Sequence, residues 1–377
     1  MDKDVPVTFS KHFGALQDPR IERKKLYPLT EILFIVVSGS ICGAESWRDF
    51  VLFGKAKIDF LKQYYSFSNG IPCKDTLARL FSSLDPGEFK ACFIEWVQSL
   101  QTILNQVIAI DGKTLCNSFD LKTDKSAIHM VSAFATEARL ILAQQKVDAK
   151  SNEITAIPKL LDLLDLKGQI ITIDAMGTQK AIAKQIIEKE GDYILALKGN
   201  QGTLNKEVRS FLTNELSKTA STAIEVPYQD IDKGHGRIET RRCIVSSEIN
   251  WLTQKEQWAG LKTIAMIEET QEINGKISTE QRFFISSLPA NAEQVAKAVR
   301  SHWLVESMHW TLDVVFNEDA SRVRKDHAPE NMGLIRHIVV NMLSNAKKTL
   351  KNLGPKAMRK KAGWDNTTLE RILKQNF

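Results

Sequence analysis

The sequence predicts a mixed α/β protein: a mixed sheet with helices on its faces, an all-helical unit in front and a β-rich insertion. Three observations carry this. Residues up to about 100 repeat apolar side chains at helical spacing. From Val107 onward, short β-rich runs and helical stretches follow one another as β-β-β-α-β-α-β. Between 203 and 290 apolar and polar residues alternate in several runs, before a last long helical pattern.

Residues 1–25 are polar, with Arg20, Arg23, Lys24 and Lys25 beside Asp18-Pro19. They read as a solvated lead-in or as an arm that contacts phosphate. The pattern over 29–61 is helical, and its apolar run 32–44 is too short to span a bilayer, so it predicts a buried helix. Asp85-Pro86-Gly87-Glu88 opens a further helix whose Phe89, Cys92, Phe93, Trp96, Val97 and Leu100 keep core spacing.

Three strands are predicted over 107–110, 128–134 and 140–147, the last two joined as a hairpin around 136–139. A helix over 154–166 closes at Lys167-Gly168. The apolar strand 169–173 ends in Asp174, a helix covers 178–190, and the strand 193–197 runs into Lys198-Gly199-Asn200. In the insertion, Asn274-Gly275 is a hairpin signal, and Asp232-Lys233-Gly234-His235-Gly236-Arg237 with Arg241-Arg242 is the most basic part. Pro289 and Asn291 start the last long helix. The end of the chain carries Lys348, Lys351, Lys356, Arg359, Lys360 and Lys361, a run that reads as solvated surface or as a phosphate-facing tail.

Length and composition narrow the class. A chain of 377 residues with 43% hydrophobic and 25% charged content is an ordinary globular protein of two or three units. A net charge of +6 is compatible with a nucleic-acid partner. Five scattered cysteines without a CxxC pair argue against a disulfide framework and a cysteine zinc site, and for a reducing compartment. The first residues carry no apolar signal-peptide core, so neither export nor a membrane partner is expected.

The stretch 300–324, RSHWLVESMHWTLDVVFNEDASRVR, organises the rest. On one helix, His302, Glu306, His309 and Asp313 share a face while Leu304, Val305, Met308, Leu312 and Val315 form the apolar side. Two more acids, Asp111 and Asp174, end apolar strands, where sites gather in open α/β sheets. Three carboxylates from two strands and a helix suit a pair of Mg²⁺ ions, which favour oxygen ligands. Such ions drive phosphodiester chemistry without a side-chain nucleophile. Lys113, Lys198, Arg300 and His302 then neutralise phosphate or position DNA. A zinc reading on His302, Glu306 and His309 stands beside this, although the spacing is not HExxH.

The motifs reach further. DPRIERKKLYPLTEILFIVVSGSICGAESWRDFVLFG, GIPCKDTLARLFSSLDPGEF, IAIDGKTL, ITIDAMGTQKAIAKQIIEKEGDYILALKGNQ, KGHGRIETR and RSHWLVESMHWTLDVVFNEDASRVRKDHAPENM follow in order over nearly the whole chain. In them the chain resembles the insertion-sequence transposases of the ISAs1 type, including the H-repeat-associated proteins, which are DDE enzymes with an RNase H-like fold. The resemblance implies Asp111 in IAIDGKT, Asp174 in ITIDAMG and Glu306 in HWLVES as the catalytic, metal-binding triad. The chain departs from the wider group's Tyr-x-x-Arg-x-x-x-Glu-x₆-Lys pattern: those places hold Val299, His302, Glu306 and Asp313. It also has Val305-Glu306-Ser307 where ISAs1-like proteins have IEN, and Leu115-Cys116-Asn117-Ser118 where they have LRGS.

The implied activity is Mg²⁺-dependent cleavage and strand transfer at insertion-sequence ends, with Mn²⁺ as a substitute. The implied partners are double-stranded DNA, both element ends and target, and a second copy of the chain, in the bacterial cytoplasm at the nucleoid. Residues expected on DNA are Lys113, Lys198, Asn200, Arg237, Arg300, His302, Trp303, His309, Arg322 and Arg324. The expected division is a helical unit 1–104, a catalytic core 105–202 and 291–345, the insertion 203–290 and a basic tail 346–377. A nuclease without strand transfer and an inactive DNA-binding relic are the two rival readings.

Overall fold

A computed structural model of the chain describes residues 4–100, 105–119, 126–148, 151–217, 222–234 and 236–377. His235 of the basic cluster and the predicted boundary at 101–104 lie outside the described residues.

Six helices form the front: α1 (Val5–Phe13), α2 (Leu29–Ile41), α3 (Trp47–Ala56), α4 (Ile58–Leu61), α5 (Lys74–Ser83) and α6 (Pro86–Leu100). In α2 every residue from Glu31 to Ile41 is buried, as its unbroken apolar run requires. The first residues are not a loose arm. Phe9 and Phe13 of α1 are fully buried against Phe34, Phe89 and Trp96, because aromatic side chains one turn apart make a helix with a core face. Arg20 is turned to Asp18 and to the Tyr27 carbonyl.

The sheet follows. Its strands are β1 (Val107–Leu115), β2 (Ile128–Ala135), β3 (Leu140–Lys146), β4 (Ile170–Ile173), β5 (Asp192–Leu197), β6 (Tyr228–Gly234), β7 (Arg237–Ser246), β8 (Thr263–Ile273) and β9 (Lys276–Ser286). Between them run α7 (Glu153–Asp162), α8 (Lys180–Glu188) and α9 (Gly202–Ser217). Among the described residues these nine strands share one sheet in the order β3-β2-β1-β4-β5-β9-β8-β7-β6. The first five, 3-2-1-4-5 with only β2 reversed, make the RNase H-like arrangement. The insertion strands extend this sheet rather than forming their own, since β9 pairs antiparallel with β5. Asn274 and Gly275 both take positive φ, the turn that an Asn-Gly hairpin favours between β8 and β9.

The last helices are α10 (Ala292–His302), α11 (Leu304–Val314), α12 (Ala328–Ala346), α13 (Pro355–Trp364) and α14 (Asn366–Asn376). Buried almost throughout, α12 is the pillar between sheet and front. Its Asn331 amide donates to the carbonyls of Phe81 and Leu84 at the end of α5. Its Asn341 binds both backbone groups of Ile141 on the outer side of β3, accepting from the N–H and donating to the carbonyl, each at 2.8 Å. The lysine-rich end is two helices, not an extended tail. Met358, Ala362, Leu369, Ile372, Leu373 and Phe377 are fully buried, and Phe377 stacks on Trp96 at 5.6 Å. Apolar residues at helical spacing between the lysines decide this.

Candidate active site

Parallel pairing of β1 with β4 sets Ile110 opposite Ile173. Asp111 and Asp174 therefore follow at the same level of two neighbouring strands. The β4 strand stops there: the Gly177 N–H donates to Asp174 Oδ1 at 3.2 Å, and Thr178 Oγ1 donates to the Asp174 carbonyl at 3.2 Å. The Asn200 amide is spent on the Ala175 carbonyl, so it braces the turn after Asp174.

The single helix predicted through 302–313 is two helices. Asn291 caps α10 by accepting from the Gln294 N–H at 2.9 Å. The chain breaks at Trp303, and α11 starts at Leu304. His302 and Glu306 consequently lie on different helices. His302 Nδ1 meets Thr172 Oγ1 of β4 at 2.9 Å. Burial pushes its pKa below the ordinary value, against the pull of the Asp111 and Asp174 carboxylates. His309 Nδ1 stands 3.4 Å from Asp111 Oδ2. The Glu306 carboxyl is raised above its usual range by burial and then by the charge of Asp111, with His309 and Arg282 opposing.

Two of the four polar residues predicted to share one face thus turn inward, and a third follows them. Asp313 Oδ1 lies 2.7 Å from Lys113 Nζ. Lys113 also reaches Asp319 at 2.9 Å and Glu318 at 3.4 Å, and these acids hold the ammonium charged despite its burial. It anchors the segment after α11 to β1.

Glu153, at the start of α7, carries no motif and was not legible as part of this region. Its carboxyl Oε1 lies 2.6 Å from His129 Nε2, and His129 Nδ1 meets Thr114 Oγ1 at 2.8 Å. Burial raises the Glu153 pKa, His129 lowers it, and the charges of Asp174 and Asp111 raise it again. A Cβ on Gly112 would stand 2.2 Å from Glu153 Oε1 and 2.5 Å from His129 Nε2. The glycine directly after Asp111 was the available signal, since glycine in a strand marks a close approach.

Between the insertion strands and α10 runs a groove of about 590 Å³ whose walls include Arg237, Arg241, Arg242, Arg282, Arg300 and Trp303. Acids are interleaved: Glu239 pairs with Arg237 and Arg241, and Asp232 lies 3.6 Å from Arg300. Arg282 covers the Trp303 ring at 4.7 Å. Leu304 and Ser307 of α11 also line it, and the charge of Arg282 on its wall reaches Glu306. Of the residues predicted on DNA, Arg237, Arg300 and Trp303 come together here. Lys198 and Arg322 are exposed elsewhere. Arg324 donates to the Asn117 carbonyl at 2.9 Å and lies over Phe119.

The zinc reading does not hold, because His302 and His309 turn to different partners. Among the described residues no group of three or more His, Cys, Asp or Glu is arranged to hold a metal ion. The chemistry of Asp111, Asp174 and Glu306 still fits Mg²⁺. The donors are hard carboxylate oxygens, and Mg²⁺ keeps most of its shell as water and substrate phosphate rather than needing an all-protein cage.

The chain matches known proteins over nearly its whole length. The family model described as transposase DDE domain matches residues 104–342, and one described as DDE_Tnp_1-associated matches residues 10–97. "H repeat-associated putative transposase YhhI" of Escherichia coli strain K12 is 42% identical over 373 residues, 96% of this chain and 97% of that protein. "Putative protein YbfL" of the same strain has the same identity and coverage. "Inactive transposase YbfQ", also from that strain, is 43% identical over 72 residues, 19% of this chain and 86% of that protein.

Proposed function

The chain belongs to the DDE transposases, a family that implies a divalent metal, and from this we propose that it cuts and rejoins DNA at the ends of an insertion sequence with Asp111, Asp174 and Glu306 as its metal-binding carboxylates. The observation that carries the reading is the shared level of Asp111 and Asp174 on adjacent parallel strands, with α11 laid across β1. When bound, Mg²⁺ at this place activates the attacking oxygen and stabilises the leaving oxygen of a phosphodiester.

The chain's own residues do the rest. Glu306 has to be ionised to act as a ligand, and its raised pKa places that step above the ordinary carboxylate range. Thr172 and the turn after Asp174 keep His302 and the second acid in place. The arginine-lined groove leads a DNA backbone toward Glu306, with Arg237, Arg242 and Arg300 on phosphate and Trp303 at its inner end. Exposed Lys198 and Arg322 extend that contact, with the half-buried Arg324 close to Arg322 in sequence. Lys113 and Asn200, tied to protein partners, shape the site rather than touch DNA.

In this reading residues 1–104 form a helical unit, 105–202 with 291–345 the core, and 203–290 the insertion. The protein works as a dimer on two DNA ends, in the bacterial cytoplasm at the nucleoid. Among the described residues no helix is long and apolar enough to cross a membrane.

The test is a duplex carrying the sequence that flanks this gene, incubated with protein and Mg²⁺ or Mn²⁺ in the presence of a target plasmid. Joined products are expected. Cleavage without joining supports the nuclease instead, and salt-sensitive binding without cleavage in either metal supports the relic.

A further inference from the structure

Behind Asp111, on the α11 side of the sheet, lies a small enclosed cavity. Its walls include Lys113, Ser132, Gln144, His309, Glu318 and His337. Strand register leads straight to it, since Asp111 pairs with Ser132 and Ser132 with Gln144. Gln144 and His337 are 2% and 4% exposed, and the His309 side chain 12%. One polar atom on each of these three side chains has no hydrogen-bond partner among the described residues: Gln144 Nε2, His309 Nε2 and His337 Nδ1. Buried polar groups are almost always satisfied, so three orphans on one cavity call for a common partner.

The chemistry of the three atoms is specific. The Gln144 amide nitrogen only donates. His309 turns Nδ1 to the Asp111 carboxylate at 3.4 Å, so the proton belongs on Nδ1 and Nε2 is left as an acceptor. Burial holds the His337 pKa well down, at about 4, so this ring is neutral and keeps one acceptor nitrogen, the role Nδ1 takes when the proton sits on Nε2. One donor and two acceptors complement one water molecule, which has two hydrogens to give and a lone pair to receive. About 10 Å³ is open to the centre of a water molecule, the smallest space that holds one.

We propose that this cavity is a one-water site: its water accepts from Gln144, donates to His309 and His337, and thereby fixes His309 as the Nδ1–H tautomer that positions Asp111. His309 is then a positioning residue, acting through the first carboxylate. Its effect on catalysis rests on the reading of Asp111 as a catalytic acid. The tautomer itself does not.

The experiment uses full-length protein labelled with ¹⁵N-histidine, with long-range proton–nitrogen correlation of its 7 histidines. The His309 signals are identified by their loss in His309→Gln. His309 is expected to carry its proton on Nδ1 and none on Nε2. Gln144→Leu removes the donor and should give a mixture of tautomers. Cleavage of the element end should fall roughly tenfold or more, with melting temperature and DNA affinity unchanged. Gly333→Ala, whose Cβ would meet the Gln144 amide at 3.8 and 4.0 Å, should crowd out the water and act alike, and it decides the matter if Gln144→Leu does not fold. A proton on Nε2 in the unaltered protein, or an unchanged His309 pattern in both variants, overturns the proposal. The expected tautomers in a protein that cuts no DNA would uphold the water site and sink the transposase reading instead.

Discussion

Lys113 Nζ lies 3.4 Å from the carboxylate of Glu318, a buried acid whose other oxygen is 3.3 Å from Arg336 on α12. This chain of charges ties β1, the segment after α11 and the central pillar together. Removing one member of a buried network leaves its partners desolvated and uncompensated. Lys113→Met should therefore cost about 3 kcal/mol in urea unfolding. A loss of only a few tenths, the size of an exposed pair, would show that the network is not structural.

The triad prediction is sharper. Asp111→Ala, Asp174→Ala and Glu306→Ala should each abolish Mg²⁺-dependent cleavage while leaving DNA affinity nearly intact, because the groove arginines are untouched. Gel-shift and cleavage assays on the same preparations check this. Cleavage retained in any one variant removes that residue from the triad.

Gly112 gives a steric test of the Glu153–His129 pair. Gly112→Ala puts a Cβ into both side chains, so it should destabilise the fold and suppress cleavage. Adding Glu153→Ala clears the nearer contact, and a double-mutant cycle should show coupling on the order of 1 kcal/mol. Strict additivity would mean that the pair is not where the strain falls.

His337 predicts a pH dependence of stability. Its folded pKa, about 4, lies below the ordinary 6.5, so the unfolded chain takes up the proton first. Stability is then full above pH 6.5 and falls as the pH drops from 6.5 toward 4. The loss is on the order of 3 kcal/mol for a fully buried ring. Melting curves across this window should slope less in His337→Gln than in the unaltered protein.

Much of this was legible in the residues. The strand end at Asp174 follows from an apolar run closed by an acid, and the Asn274-Gly275 turn from its chemistry. Asp111, expected to end its strand, instead lies inside β1, which pairs with β2 as far as Leu115. What periodicity could not supply was direction and partner. The stretch 302–313 reads equally well as one helix, and only packing of His302 on Thr172 shows the break at Trp303. Lys113 looked like a phosphate ligand because its three acids come from a distant part of the chain. The Lys- and Arg-rich end hid an apolar stripe that becomes a core only when α6 and α12 are beside it. Glu153 entered the region through a fold-level approach that no local pattern encodes.

Asn341, which clasps Ile141 from α12, has a consequence for how copies of this protein meet. A sheet of nine strands has two free margins, and an uncovered margin recruits strands from other molecules. On the β3 side the Asn341 amide takes the place of a tenth strand and closes that margin. On the β6 side no such clasp is seen among the described residues. Instead Asp230, Asp232 and Lys233 stand on the outermost strand, where charge discourages stacking. One end is sealed by a side chain and the other guarded by charge, so a chain that loses Asn341 would open the β3 edge as a template for aggregation.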